Sequence, residues 1–473
     1  MSHSTTYTNK ASYYLSFLKQ AIRGEEMDYT TGSIRKAVIM LAIPMVLEMI
    51  MESVFALVDL YFVGHLPQSD KAQQVVGLAE SVITIIYSIA IGISMAATAL
   101  VARRIGEKDP EEAAKAGAQT TTLSIIITVV LSIAGFIFAK DILRLMGASA
   151  ETVEYGANYT RILTGGSIVI MLLFLINGIF RGAGDASMAM RSLTIANIAN
   201  IILCPLLIRG LGPVPAFGLT GAAMATTIGR GIGVMYQLYH LFNGKSIIKM
   251  KASYFIPVWE QVKKIIGIAA PGTLQFLIGS GSWIVLTAIV AQSGETASAG
   301  YITAIRVIMF FLLPAWGLSN AAATLVGQNL GAKQPQRAEE SVLKTAKYNA
   351  IFMGIVTLLF LLLSPYIIGF FAEKPDTRKI AVEAMLIISS GYIFYGVGMV
   401  MMNAFNGAGD TRTPTIINAV GFWLFQIPLA IFLSKTLKMG ATGAFIAIPA
   451  AETAMAIAFY ILFRKGKWKQ VKV

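Results

Sequence analysis

Three carboxylates interrupt an apolar stretch near the start of the chain: Glu48, Glu52 and Asp59, between Lys36 and Val63. At 100° per residue, Glu52 falls about 40° and Asp59 about 20° from Glu48, so on a helix all three share one face over roughly 16 Å. If that helix crosses a bilayer, each charge costs on the order of 2.5–3.5 kcal/mol by insertion scales, and such residues mark a cavity or a proton or ion path. Carboxylates grouped in poorly solvated surroundings exchange protons closer to neutral pH than they do in water. The chemistry on offer is proton exchange, or attraction of a cation once ionised. If proton and cation compete for the same carboxylates, exchange of one for the other follows. The bland alternative is that Glu48 and Glu52 are tied to Arg306 or to backbone.

Other ionisable groups sit in apolar surroundings too. Arg230 and Glu452 each interrupt such a stretch, Arg306 lies within another, and Glu80 lies at the start of one. Arg306 is a possible counter-ion to the three acids. Arg230 and Glu452 could form a gate or pair locally, and Glu80 could be interfacial. Asn177 and Asn200 are candidate hydrogen-bonding partners for the acids, or else helix–helix bonds.

The elements that must hold these groups are membrane spans. Only 13% of the 473 residues are charged and 56% are hydrophobic, with a mean hydropathy of +0.68. A soluble domain carries roughly 25% charged residues, and a helix needs about 20 apolar residues to span a bilayer. Such stretches occupy 36–63, 81–102, 116–139, 162–180, 192–208, 214–242, 265–294, 307–332, 348–372, 384–409, 413–434 and 438–463. The expected fold class is an all-α polytopic membrane protein with twelve transmembrane helices. No cleavable signal is visible in the first 36 residues, so the first span is expected to anchor the chain.

The net charge of +13 suggests nucleic-acid binding until the charges are placed. With the N-terminus inside, 26 of the 38 Lys and Arg fall on the inner segments and 10 on the outer loops, with Arg230 and Arg306 inside helices. That bias follows the positive-inside rule and puts both termini in the cytoplasm. A nucleic-acid partner is thereby excluded, and the basic residues face the membrane lipid of the inner leaflet. The single cysteine, Cys204, excludes a disulfide.

The chain is also duplicated. Arg181-Gly-Ala-Gly-Asp185 returns as Asn406-Gly-Ala-Gly-Asp410, and the stretch Leu100–Pro110 returns as Leu325–Pro335, both at an offset of 225. Ala42-Ile-Pro44 returns as Ala269-Ala-Pro271 at 227, and Gly218-Leu-Thr-Gly-Ala222 as Gly440-Ala-Thr-Gly-Ala444 at 222. Six spans per copy make the repeat parallel, and transporters of that kind bind near mid-membrane between or within the halves. The expected organisation is a cytoplasmic segment 1–35, a six-helix lobe 36–242, a linker 243–264, a pseudo-symmetric lobe 265–463 and a basic tail 464–473. In the second lobe the counterpart of the acidic face offers Gln275, Gly279 and Leu286, with no acid. Ion coupling is therefore expected in the first lobe.

With these residues in place the chain resembles the MATE (multidrug and toxic compound extrusion) transporters over nearly its whole length. The resemblance rests on Asp28-Tyr-Thr-Thr-Gly-Ser-Ile34, Ile43-Pro44, Val58-Asp-Leu-Tyr-Phe-Val-Gly64, the two Gly-Ala-Gly-Asp signatures and the two Gly-x-x-Gly-Ala openings. It implies an inner-membrane antiporter expelling small organic cations in exchange for protons, or alternatively sodium. It implies two six-helix lobes around a central cleft, no cofactor, and a monomer. Asp59 falls where the family's first-helix coupling aspartate lies. The missing acid near Gly279 favours the DinF-like branch over NorM. The DinF-like fifth helix carries an Asn, then an Asp four residues on, then Pro. Here Asn200 and Pro205 match, but Cys204 replaces the aspartate, and Glu52 is the expected substitute.

Two rival classes fit the sequence less well. An enzyme would need clustered His, Cys or acid–base groups, whereas His3, His65 and His240 are scattered and no metal-ligand spacing or phosphate loop appears. A flippase for lipid-linked precursors would need a positive cavity, whereas the expected cavity is acidic.

Overall fold

The computed structural model describes residues 10–473 except 26, 211, 245 and 373. The first nine residues of the expected N-terminal segment, His3 among them, lie outside the described residues. A short amphipathic helix α1 (Lys10–Arg23) precedes the spans, with Phe17 and Ala21 turned onto the bundle. The first half holds α2 (Ile34–Gly64), α3 (Ser69–Gly106), α4 (Pro110–Ile137), α5 (Ala139–Leu145), α6 (Ala150–Gly165), α7 (Ser167–Ala183), α8 (Ala186–Arg209) and α9 (Leu219–Phe242). The second holds α10 (Trp259–Ala291), α11 (Glu295–Gly331), α12 (Pro335–Gly369), α13 (Pro375–Ser389), α14 (Tyr392–Ala408), α15 (Arg412–Asn418), α16 (Ile427–Ile431) and α17 (Ala441–Arg464), with π-helical turns flanking α16. Among the described residues there is no strand.

Among the described residues, ten helical stretches are long and apolar enough to cross a bilayer, with α13 and α14 forming an eleventh if their 54° bend is one span. The remaining long helix, α9, is less apolar because glycines, threonines and Arg230 dilute it. The helices outrun the charge-free stretches that reveal them. The fourth stretch, expected at 162–180, belongs to a longer run in which α6 and α7 meet at Gly166, and the tenth is likewise broken between Ser389 and Tyr392. Residues such as Arg161 thus lie in helix rather than loop. Pro44, Pro205, Pro271, Pro314 and Pro449 fall inside their helices, where each removes a backbone bond.

The duplicated motifs build two things. Each Gly-Ala-Gly-Asp ends one helix and starts the next. Gly184 (φ 93°) and Gly409 (φ 89°) take the left-handed cap conformation, with Gly184 N–H donating to the Arg181 carbonyl and Asp185 N–H to that of Phe180. Asp185 and Asp410 then cap the following helices by accepting from the N–H groups of Met188 and Thr413.

The same motifs close the lobes on each other at one end. Gln328 donates to the Gly182 carbonyl at 3.0 Å, Thr324 to that of Arg181 at 3.0 Å, and Arg103 to that of Ala408 at 3.5 Å. Gln328 and Arg103 are repeat equivalents, so this is a pseudo-twofold contact. Its centre is glycine on backbone. A Cβ on Gly106 would lie 1.9 Å from the Gln328 carbonyl oxygen, and one on Gly331 would lie 2.1 Å from that of Arg103. Replacing either glycine by alanine is expected to prise α3 from α11 at this end. Spin labels at positions 111 and 336 should then report a longer distance, and an unchanged distance would show that the contact does not hold the end shut.

A strap reinforces the closed end. Arg337 at the start of α12 donates to the carbonyls of Tyr29, Thr31 and Gly32, while Lys108 beyond α3 pairs with Asp28 at 2.8 Å. Burial would raise the Asp28 carboxyl, but Lys108 and the Thr30 donors outweigh it and hold it down to about 2, so the strap stays ionised at neutral pH. Segment 28–32 thereby ties both lobes together at this end.

Candidate functional site

The acids of α2 lie along one side of that helix, and each has its own partners. Glu48 is 2% exposed. Its Oε1 accepts from Asn177 of α7 at 2.9 Å and pairs with Arg181 at 3.4 Å. Asn177 in turn accepts from Gln237 of α9. Glu52 pairs with Arg230 of α9 at 2.8 Å. The Arg230 guanidinium also lies over the Phe55 ring at 4.4 Å and near Tyr87 at 5.9 Å, which helps a buried cation whose remaining N–H groups have no acceptor.

Asp59 differs from both, because among the described residues it forms no ion pair. Asn200 of α8 donates to its Oδ1 at 3.1 Å, the Cys204 thiol to the same oxygen at 3.6 Å, and Thr226 of α9 to Oδ2 at 2.9 Å. The site is therefore one carboxylate of α2 inside a cage of neutral donors from α8 and α9. One turn away, Asn197 donates to the Met51 carbonyl and fixes α2 against α8.

Between the lobes lies a cavity of about 370 Å³. Glu52, Thr84, Tyr87, Phe174 and Arg181 line it from the first lobe, and Phe276, Trp316, Asn403 and Asn406 from the second. Neither Glu48 nor Asp59 reaches its wall. It adjoins a second cavity of about 320 Å³ within the second lobe, where Gln275 and Glu452 lie.

Several sequence expectations need correction against this geometry. Arg306 is not the counter-ion of Glu48 or Glu52: Arg181 pairs with Glu48 and Arg230 with Glu52. Of the two readings of Arg230, gate or local pair, the structure has the local one, with Glu52 of its own lobe. Glu52 does not replace the acid lost at Cys204, since the carboxyl beside that thiol is Asp59. The central cavity is not simply acidic, because Arg181 lies in α7 and faces it. The structure does bring Asn177 to Glu48 and Asn200 to Asp59. Sequence reasoning missed Thr226, Gln237 and the pairing role of Arg181. Arg181 had a signal, since the second copy carries Asn406 in its place. Thr226 and Gln237 had none beyond being polar in an apolar span.

Two helical lobes in contact at one end, with a cavity between them and ionisable groups buried at its wall, describe a membrane transporter. The MatE family model matches residues 44–206 and again residues 271–432, one match per copy of the duplication. The chain belongs to the MATE family of multi-pass membrane transporters. It is 26% identical over 444 residues to the probable multidrug resistance protein YoeA of Bacillus subtilis, covering 93% of this chain and 96% of the relative. It is 26% identical over 437 residues to the probable multidrug resistance protein NorM of Thermotoga maritima, covering 92% and 94%. A solved multidrug resistance MATE family transporter in an outward-facing conformation superposes with a TM-score of 0.87 at 26% identity, covering 94% of this chain and all of the other (100%). The MATE transporters of known structure share the twelve-helix, two-lobe architecture expected from the sequence.

Proposed function

We propose that this protein exports small organic cations in exchange for protons by alternating access between its two lobes, working as a monomer without a cofactor. The observation that carries the proton reading is Asp59. Glu48 and Glu52 have arginine partners, whereas the partners of Asp59 are neutral, so protonating it breaks no ion pair. A protonated carboxyl donates one hydrogen bond where the carboxylate only accepted. At least one of Asn200, Cys204 and Thr226 must then turn, which couples proton uptake to the packing of α2 on α8 and α9.

The distance of Asp59 from the central cavity argues against simple competition of proton and cargo for one carboxylate. It supports coupling through α2, whose Glu52 does reach the cavity. The relatives named as multidrug resistance proteins support export of diverse organic compounds. The aromatic wall of the cavity suits flat hydrophobic cations. The excess of basic residues on the inner segments supports an inner-membrane protein with both termini in the cytoplasm. In that orientation the closed end faces the cytoplasm and the conformation is outward-facing. Asn200 in α8 and the absence of acid between Gln275 and Leu286 favour the DinF-like branch.

Proteoliposomes loaded with ethidium test the assignment. Efflux is expected under a proton gradient alone and not under a sodium gradient alone. Efflux driven only by sodium would overturn proton coupling. No movement under either gradient would overturn cation export.

A further inference from the structure

The two lobes have resolved their buried charge in opposite ways. Arg230 and Glu452 are repeat equivalents at an offset of 222. In the first lobe every acid along α2 is matched, by an arginine or by a cage of donors. In the second lobe Glu452 of α17 is 8% exposed and makes no hydrogen bond or ion pair among the described residues. It borders the cavity of about 320 Å³, whose lining contains no lysine, arginine or histidine. The walls are soft and aromatic, with Trp283, Trp316, Phe422 and Met399 among them. Gln275, also on the lining, has an Oε1 with no donor among the described residues. Met95, Phe276, Ser280, Leu313 and Trp316 are shared with the central cavity, so the two cavities adjoin across these side chains.

A buried carboxyl with no partner needs a cation or a proton. A small hydrated ion would leave an apolar space of this size unfilled, whereas a hydrophobic cation fills the walls and meets the charge together. Aromatic faces attract cations and thioethers adapt to varied shapes. We propose that the second-lobe cavity is a binding site for a monovalent, aromatic organic cation bearing N–H groups, with Glu452 as its counter-charge and Gln275 accepting from its N–H. The proposal rests on the reading of the chain as a cation exporter and gives the cargo a seat in the lobe that lacks the α2 acids.

The test uses the full-length protein in detergent, without a gradient. Ethidium carries a fixed positive charge and two amino groups, and its de-ethylated phenanthridine analogue is neutral. Wild type is expected to bind ethidium at least tenfold more tightly than the neutral analogue. Glu452→Gln is expected to abolish that preference, while Glu452→Asp, which keeps the charge, retains it. As a measurement needing no variant, ethidium should protect Glu452 of the wild type from dicyclohexylcarbodiimide, read by mass spectrometry of the α17 peptide, and the neutral analogue should not. An E452Q protein that keeps the wild-type charge preference, or a Glu452 modified equally with and without ethidium, would overturn the site while leaving cation export standing. Wild type that neither binds nor exports ethidium would overturn the export reading and the site with it.

Discussion

Asp59→Asn is expected to leave a folded protein that no longer accumulates or expels cargo against a gradient. Asparagine matches aspartate in shape, and its carbonyl can still accept from Asn200 and Cys204. Its amide would face Thr226, whose hydroxyl can turn from donor to acceptor. The cage therefore survives, and thermal stability should change little. What is lost is the proton. If one proton exchanges for one monovalent cation, each pH unit supports at most about a tenfold concentration ratio, because a factor of ten in proton activity is worth about 1.4 kcal/mol. In proteoliposomes the wild type should build such a ratio and D59N should level at one. Because Asp59 lies off the cavity wall, ethidium binding to D59N should match wild type. Proton-driven accumulation by D59N would remove Asp59 from the coupling step. Loss of binding together with coupling would show instead that proton and cargo compete directly, as the sequence first suggested.

The two kinds of error made from sequence have different physical origins. Spans, duplication and the acid face of α2 were legible because each is a one-dimensional signal: a run of apolar residues, a fixed offset, a helical period. The pairing of Glu48 with Arg181 and Glu52 with Arg230 is a choice among helices, made by packing. Arg306 was as good a candidate by type, and only the crossing of α2 with α7 and α9 decides against it. The breaks at Gly166 and between Ser389 and Tyr392 were invisible because no charge or proline marks them, while helices run on past charges such as Arg161 that seemed to end them. The Gly-Ala-Gly-Asp repeat was legible as a repeat but not as a device. That it caps two helices and offers its carbonyls to the opposite lobe follows only once α3 and α11 are seen to cross at Gly106 and Gly331. Cys204 shows the reverse case. The sequence marked it as a departure, and the structure places its thiol on Asp59, where a thiol donor takes the position that the family pattern gives to an acid. A second carboxylate there would repel Asp59; its absence leaves Asp59 the lone acid among neutral donors.

The pair Glu52–Arg230 is expected to give the largest loss of stability in the first lobe when broken and a much smaller one when removed whole. Arg230 is almost fully buried, with its free N–H groups turned to Phe55 and Tyr87 rather than to acceptors. Removing one member of a buried pair typically costs about 3–5 kcal/mol because the other charge is left unmatched, whereas replacing both by neutral groups can be nearly neutral. Arg230→Gln should fall toward the lower end of that range, since Glu52 borders the cavity and can recover some hydration. Glu52→Gln should cost more, because it leaves the buried Arg230 charge with its aromatic contacts alone. Arg230→Lys should not rescue, since a point charge on a flexible stem lacks the flat face that stacks on Phe55. The double variant E52Q/R230Q should regain most of the stability lost by R230Q. Melting temperatures of the four detergent-purified proteins measure this, and additive losses would show that the two side chains do not depend on each other. The double variant also leaves the net charge of the first lobe unchanged, so it should retain ethidium export at a reduced rate. A double variant that is stable and yet inert would mean that the ion pair takes part in the transport cycle itself, with Arg230 exchanging partners between Glu52 and Asp59 on the same helix as the lobes move.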